Sequence, residues 1–285
     1  MSGSHDRAEL DAVRRDYAKR MLALAGVAGN SRLEDAFGAV PREDFLGPFP
    51  WRALAAGDLT NVYQDVVIPL DPERGVNNGS PVLHALWLDA LAPKPGEAVA
   101  HLGAGTGYYT AILAKLVGPG GHVQAVEIDR RLAARARDNL AGFGNVTVID
   151  GNAAEFPEAA TDCIYVNFGV ERPVARWIDR LAAGGRLVFP LGYLRYDPSP
   201  GITGGGFRIE RRGDAFAASY LGPAYFVGDE SAPEEPDAYR KRLRAAFNNG
   251  TAERIGSFRW KCAAPPERCW FGDDGWAFGY EPVAG

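Results

Sequence analysis

The sequence predicts an α/β protein: a doubly wound, Rossmann-like sheet preceded by helices and followed by a C-terminal α+β appendage. Three observations predict it. From residue 80 onward, short apolar β-type runs alternate with segments of helical period, which is the pattern of parallel strands joined by right-handed crossovers. One of these strands runs straight into a glycine loop, HLGAGTGYYTA, that opens a helix. The chain has 285 residues, 46% of them hydrophobic and 24% charged, enough for one large core with an addition. The expected division is a helical segment over 1–60, a ligand-binding core over 61–195 and an appendage over 196–285, the last a candidate lid.

The elements follow in order. Leu10, Val13, Tyr17, Met21 and Leu24 recur at steps of three and four and predict a first helix. SRLEDAFGAV predicts a second, with Ser31 as N-cap and Glu34 three residues on. PREDFLGPFPW, rich in Pro and aromatics, reads as irregular. PVLHALWLDAL is a helix, EAVAHL a buried strand, YYTAILAKL a helix, HVQAVEID a strand and RRLAARARDNLAGF a basic amphipathic helix. NVTVIDG and DCIYVNFG are strands, ERPVARWIDRL a helix and GGRLVFPL a strand. YDPSPGITGGG predicts a loop, with Gly201 to Gly206 as hinge. A hairpin turning at Gly213-Asp214 follows, then a helix ended by Asn249-Gly250, then a pair of strands. Arg240, Lys241, Arg242 and Arg244 read as a solvated helix face. Trp260, Trp270 and Trp276 read as core of the appendage, with a substrate wall as the alternative.

Composition excludes several classes. A net charge of -5 argues against a general nucleic-acid binder. No apolar run approaches the roughly 18 residues of a membrane span, and the first residues have no signal-type apolar region. A cytoplasmic protein with reduced thiols is expected from its three cysteines. The four histidines and three cysteines show no zinc spacing, so no metal is expected.

The chemistry is concentrated in two stretches. In the glycine loop, Gly103, Gly105 and Gly107 permit a tight turn and close approach of a ligand. Glu127 lies twenty residues beyond Gly107, at the end of the next strand, where a carboxylate can accept both hydroxyls of a ribose. The spacing is G-x-G-x-G rather than the dinucleotide G-x-G-x-x-G, which points to a nucleoside-type cofactor without a pyrophosphate. The pair Tyr108-Tyr109 opens the following helix, one ring toward the cleft and the other toward the core. The second stretch is GVNNGSPVLHA: Asn77, Asn78 and Ser80 either donate hydrogen bonds into the mouth of the cleft or cap a helix. His84 lies four residues after Ser80, a candidate base or a buried helix histidine.

The succession VPREDFL, YQD, HLGAGTGYYTAILAKL, VEID, NVTVIDGNA and RLAAGGRLVFPLG resembles the protein-L-isoaspartate O-methyltransferase family over roughly residues 33–195. The resemblance implies S-adenosyl-L-methionine as cofactor, S-adenosyl-L-homocysteine as product, and methylation of a carboxylate on a protein, peptide or small acid. It implies that Gly103, Gly105 and Gly107 pass beneath the methionine part of the cofactor and that Glu127, with Ile128 beside it, takes the ribose. It places Asn152, with Ala153, at the adenine, in GNA where the family usually has GDG. His101 stands where the family commonly has a carboxylate, and is either a cofactor contact or a satisfied buried residue. The family's G-Q-T-I-S-x-P becomes Gly75 to Pro81, so Gly79 replaces the serine that contacts the substrate carboxylate. That departure keeps two alternatives open: a tailoring methyltransferase of a peptide or small metabolite, and a cofactor-binding module without catalysis.

Overall fold

The computed structural model describes residues 7–47, 59–195, 201–229, 231–232, 235–262 and 266–283. The expectations for the first residues, for the end of PREDFLGPFPW and for 196–200 lie outside them. The chain packs as two compact units, residues 1–98 with 104–151, and residues 99–103 with 152–285.

The first unit begins with helices α1 (Arg7–Leu24) and α2 (Ser31–Ala39). Tyr17 and Met21 of α1 are buried, as the spacing predicts; Leu22 is buried beside them, and Leu24, expected on the same face, ends the helix in solvent. The N-cap of α2 is Asn30 rather than Ser31: its Oδ1 accepts the Leu33 N–H at 3.0 Å. Asn30 also donates to Asp89 at 2.8 Å, a tertiary bond that favours it over the neighbouring serine. Arg42 is fully buried and donates to the carbonyls of Val62, Gln64 and Val66. This guanidinium fixes the approach to a short antiparallel pair absent from the sequence reading, β1 (Pro69–Asp71) and β2 (Val76–Asn77). Strands this short carry no period to read. Helix α3 (Pro81–Leu91) comes next, and β3 (Ala98–Leu102) follows it in the chain. Then α4 (Tyr108–Val117), β4 (His122–Glu127), α5 (Arg130–Asn139) and β5 (Val146–Asp150) complete the unit, with β4 and β5 parallel.

In the second unit β3 pairs in parallel with β6 (Thr161–Val166), and β6 with β7 (Leu181–Arg195). A short helix α6 (Ala175–Asp179) connects them, half the length that ERPVARWIDRL suggested. Strands β8 (Gly201–Arg212) and β9 (Ala215–Phe226) then continue antiparallel from β7. The proposed hinge is therefore strand: Gly201 to Gly206 pair with β7 from Arg195 to Pro190. These glycines serve close approach. A Cβ on Gly204 would run into the Leu191 carbonyl, and one on Gly205 into the Tyr220 ring.

Helix α7 (Asp237–Asn248) precedes β10 (Ser257–Trp260), β11 (Cys269–Asp273) and β12 (Trp276–Gly279), three strands where a pair was expected, because CWFGDDGWAFGY is itself a hairpin. Trp270 and Trp276 are buried with Phe207, Phe247 and Phe278, so they are core. The basic run of α7 is less solvated than expected. Arg240 pairs with Glu171 at 2.8 Å and Arg242 with Asp273 at 2.9 Å.

Candidate active site

The glycine loop takes the conformation its sequence demands. Gly105 and Gly107 lie at φ +58° and +96°, in the left-handed region that side-chain-bearing residues avoid. A Cβ on Gly107 would also come within 2.6 Å of Leu140. Gly107 then serves as N-cap of α4 with no side chain over the first turn.

Glu127 closes this loop. Its Oε2 accepts the Gly105 N–H at 2.7 Å and its Oε1 accepts the Asp129 N–H at 2.9 Å. The residue is 7% exposed. Burial pushes its carboxyl above the usual range, and the main-chain N–H bonds oppose that shift. The Ile128 N–H adds to these donors, and carboxylate oxygens, which can each accept more than one hydrogen bond, can serve ligand hydroxyls as well. Ile128 beside it is 46% exposed, an apolar surface next to the carboxylate. The next residue, Asp129, caps α5 through the Arg131 and Leu132 N–H groups.

Tyr108 sits elsewhere than toward a cleft. It is buried against Phe37 and Phe45, with its hydroxyl 3.3 Å from that of Tyr17. Burial among these rings raises its phenol well above the ordinary value. Only its main chain remains for a ligand. Tyr109 is also buried and stacks on His84, ring centroids 3.6 Å apart.

The Asn77 to Ser80 stretch divides its work. Ser80 is the N-cap of α3: its Oγ accepts the Leu83 N–H at 3.2 Å and donates to Asp65 at 2.7 Å. Asp65 also accepts the Val82 N–H at 3.1 Å, a cap partner fifteen residues upstream that the sequence reading missed. Asn77 forms a local turn, its Oδ1 accepting the Gly79 N–H at 2.9 Å. Asn78 pins the chain at Ile68, whose N–H it accepts at 2.7 Å. Its Nδ2 is buried without a hydrogen-bond partner among the described residues. Gly79 lies at φ +72°, and a Cβ there would fall on His84 Nε2. His84, 2% exposed, thus fills the space that a side chain at residue 79 would need.

In the second unit, His101 is fully buried on β3. Desolvation pulls its imidazole down to about 3, so it is neutral. Gly103 lies at φ +76°, and a Cβ there would come within 2.7 Å of Phe168. Asn152 caps a turn over Ala153–Glu155, its Oδ1 accepting the Ala154 N–H at 2.9 Å, and Ala153 accepts the Trp177 indole N–H at 3.0 Å. The Ser231 hydroxyl lies 3.3 Å from Asn152 Oδ1 and donates to Asp229 at 2.6 Å. No spacing in the sequence links residues 79 positions apart.

With this geometry in view, the family follows. Residues 19–198 match the model of the protein-L-isoaspartate(D-aspartate) O-methyltransferase family. The chain belongs to that family. A protein-L-isoaspartate O-methyltransferase of Methylorubrum populi is 36% identical over 222 residues, 76% of this chain and 94% of that protein. One from Ignicoccus hospitalis is 31% identical over 212 residues, 73% and 93% of the two chains. One from Aeropyrum pernix is 36% identical over 176 residues, 60% of this chain and 64% of its own length. A solved protein-L-isoaspartate O-methyltransferase superposes with a TM-score of 0.61 at 25% identity, over 81% of this chain and 69% of that one. The mixed α/β methyltransferase fold is therefore the one the alternating pattern predicted, and S-adenosyl-L-methionine is its cofactor. Among the described residues no helix is long and apolar enough to cross a membrane.

Proposed function

We propose that this chain transfers a methyl group from S-adenosyl-L-methionine to a carboxylate oxygen of a protein or peptide. When bound, the cofactor supplies an electrophilic methyl on a sulfonium. The S–CH3 bond breaks as an O–CH3 bond forms, giving a methyl ester and S-adenosyl-L-homocysteine, with no proton to move. The observation that carries this reading is Glu127, a buried carboxylate at the end of β4 that main-chain N–H groups hold against the glycine loop. Glu127 with Ile128 would hold the ribose, Gly103, Gly105 and Gly107 would underlie the methionine part, and Asn152 with Ala153 would meet the adenine.

The histidines support an acceptor that needs no base. His84 is buried in a ring stack, and His101 is buried and neutral with little affinity for a proton. A carboxylate is already ionised at neutral pH. The spare donor of Asn78 is the group of the 77–80 stretch that remains to meet the methyl acceptor. Methyl-ester formation on an isoaspartyl peptide, against the same peptide with ordinary aspartate, tests the reading. Cofactor binding with no ester on any carboxylate would sink it.

A second reading is favoured by Gly79. The family's serine is absent there, and His84 fills its space. This supports an acceptor held differently from an isoaspartyl residue, such as the carboxylate of a peptide or small metabolite. Robust methylation of the isoaspartyl peptide would remove that reading.

A further inference from the structure

Asn167 follows β6, one residue beyond the pairing of Val166 with Leu102 on β3. Its N–H donates to the Leu102 carbonyl at 2.9 Å, so it stands beside the residue that opens the glycine loop. Its side chain is oriented from behind. Nδ2 lies 2.7 Å from His101 Nε2. The imidazole is fully buried and neutral, and with the Asn167 amide nitrogen as the facing donor, the tautomer that fits has Nε2 accepting and the proton on Nδ1. This leaves Asn167 Oδ1, a buried acceptor with no hydrogen-bond partner among the described residues. A buried amide oxygen without a donor costs about 1–3 kcal/mol, so such an atom calls for an explanation, and a ligand donor supplies one. In parallel α/β sheets, the C-terminal ends of strands are where ligands bind.

We propose that Asn167 is a cofactor-binding residue, its Oδ1 accepting an N–H from the ammonium at the amino-acid end of S-adenosyl-L-methionine, and that His101 positions it. This rests on the reading of the glycine loop given under the proposed function, which puts the methionine part of the cofactor beside Gly103. An ammonium presents donors only, and a neutral amide oxygen held by a neutral imidazole offers it an acceptor without adding a second buried charge. His101, itself fully buried, acts through Asn167.

Calorimetry with S-adenosyl-L-homocysteine and with its deamino analogue, in which hydrogen replaces the α-amino group, tests the assignment. Wild type is expected to prefer the amino compound. Asn167→Ala should weaken S-adenosyl-L-homocysteine about tenfold, the scale of one hydrogen bond to a charged group, and leave the analogue within about twofold. His101→Leu should lose part of the same preference, and His101→Gln, whose amide oxygen can accept the Asn167 N–H, should regain it. Should Asn167→Ala fail to fold, Asn167→Asp decides, since its carboxylate should widen the preference for the amino compound. An equal loss of both ligands in Asn167→Ala, or no widening in Asn167→Asp, overturns the assignment and leaves the cofactor reading standing. Failure of wild type to bind S-adenosyl-L-homocysteine at all defeats both.

Discussion

Two stretches of the first unit invite comparison, the glycine loop with Glu127 and the run from Asn77 to Ser80. Both are polar, and both stand just ahead of a helix. In the loop, left-handed glycines shape the backbone, and the carboxylate that closes it is of a kind whose oxygens can each accept more than one hydrogen bond. In the other stretch, the Ser80 hydroxyl, the Asn77 oxygen and the Asn78 oxygen are all engaged by the protein itself. Asn78 Nδ2 finds no hydrogen-bond partner among the described residues. Polarity alone does not mark a binding residue. Unspent hydrogen-bonding capacity does, because a group already satisfied gains little from a ligand.

The sharpest way to break this comparison is Gly79→Ser. The added side chain meets His84 Nε2 and the backbone is left-handed, so a stability loss of about 2–5 kcal/mol is expected from the two costs together. A urea melt checks it. His84→Ala in the same chain should recover the steric part only, since the φ of +72° is unchanged. A serine variant as stable as the parent would mean that residue 79 is not constrained by its neighbour.

Next in size is Glu127→Ala. Loss of an ionised acceptor for ligand hydroxyls should weaken S-adenosyl-L-homocysteine by about 1.5–3 kcal/mol, or about ten- to a hundredfold, by calorimetry. Unchanged affinity would remove the distinction drawn between the two stretches.

Ser80→Ala and Asp65→Ala test the other side. Each should cost about 0.5–2 kcal/mol of stability, the scale of a lost N-cap, while turnover per folded molecule stays near the parent value. A large fall in turnover with an unchanged melting temperature would return Ser80 to the list of acceptor contacts.

The gentlest effect per step of the measurement is a pH slope. The imidazole of His101 is held near 3 in the folded protein against an ordinary 6.5. The unfolded chain therefore binds the proton that the folded one refuses, and stability falls as pH drops from about 6.5 toward 3, by at most about 1.4 kcal/mol per pH unit. His101→Gln should flatten this part of the acid-unfolding curve, and an identical curve would place the acid sensitivity elsewhere.

The sequence by itself determined the alternating α/β plan, the glycine loop and the acidic residue after the next strand. These depend on local requirements: hydrophobic period, left-handed backbone positions and the fixed spacing of a strand–loop–helix unit. It also exposed the Gly79 departure. It did not show that Gly201 to Gly206 form strand, because whether a glycine run becomes a loop or a closely packed strand depends on the rows opposite it, here β7 and Tyr220. Nor did it show which of two adjacent residues, Asn30 or Ser31, caps α2, since the deciding bond comes from Asp89. The partnership of Ser80 with Asp65, the reach of Ser231 to Asn152 and the pinning of Asn167 by His101 were decided only in three dimensions. Each joins residues far apart in the chain, and a hydrogen bond across the fold leaves no period in the sequence that makes it.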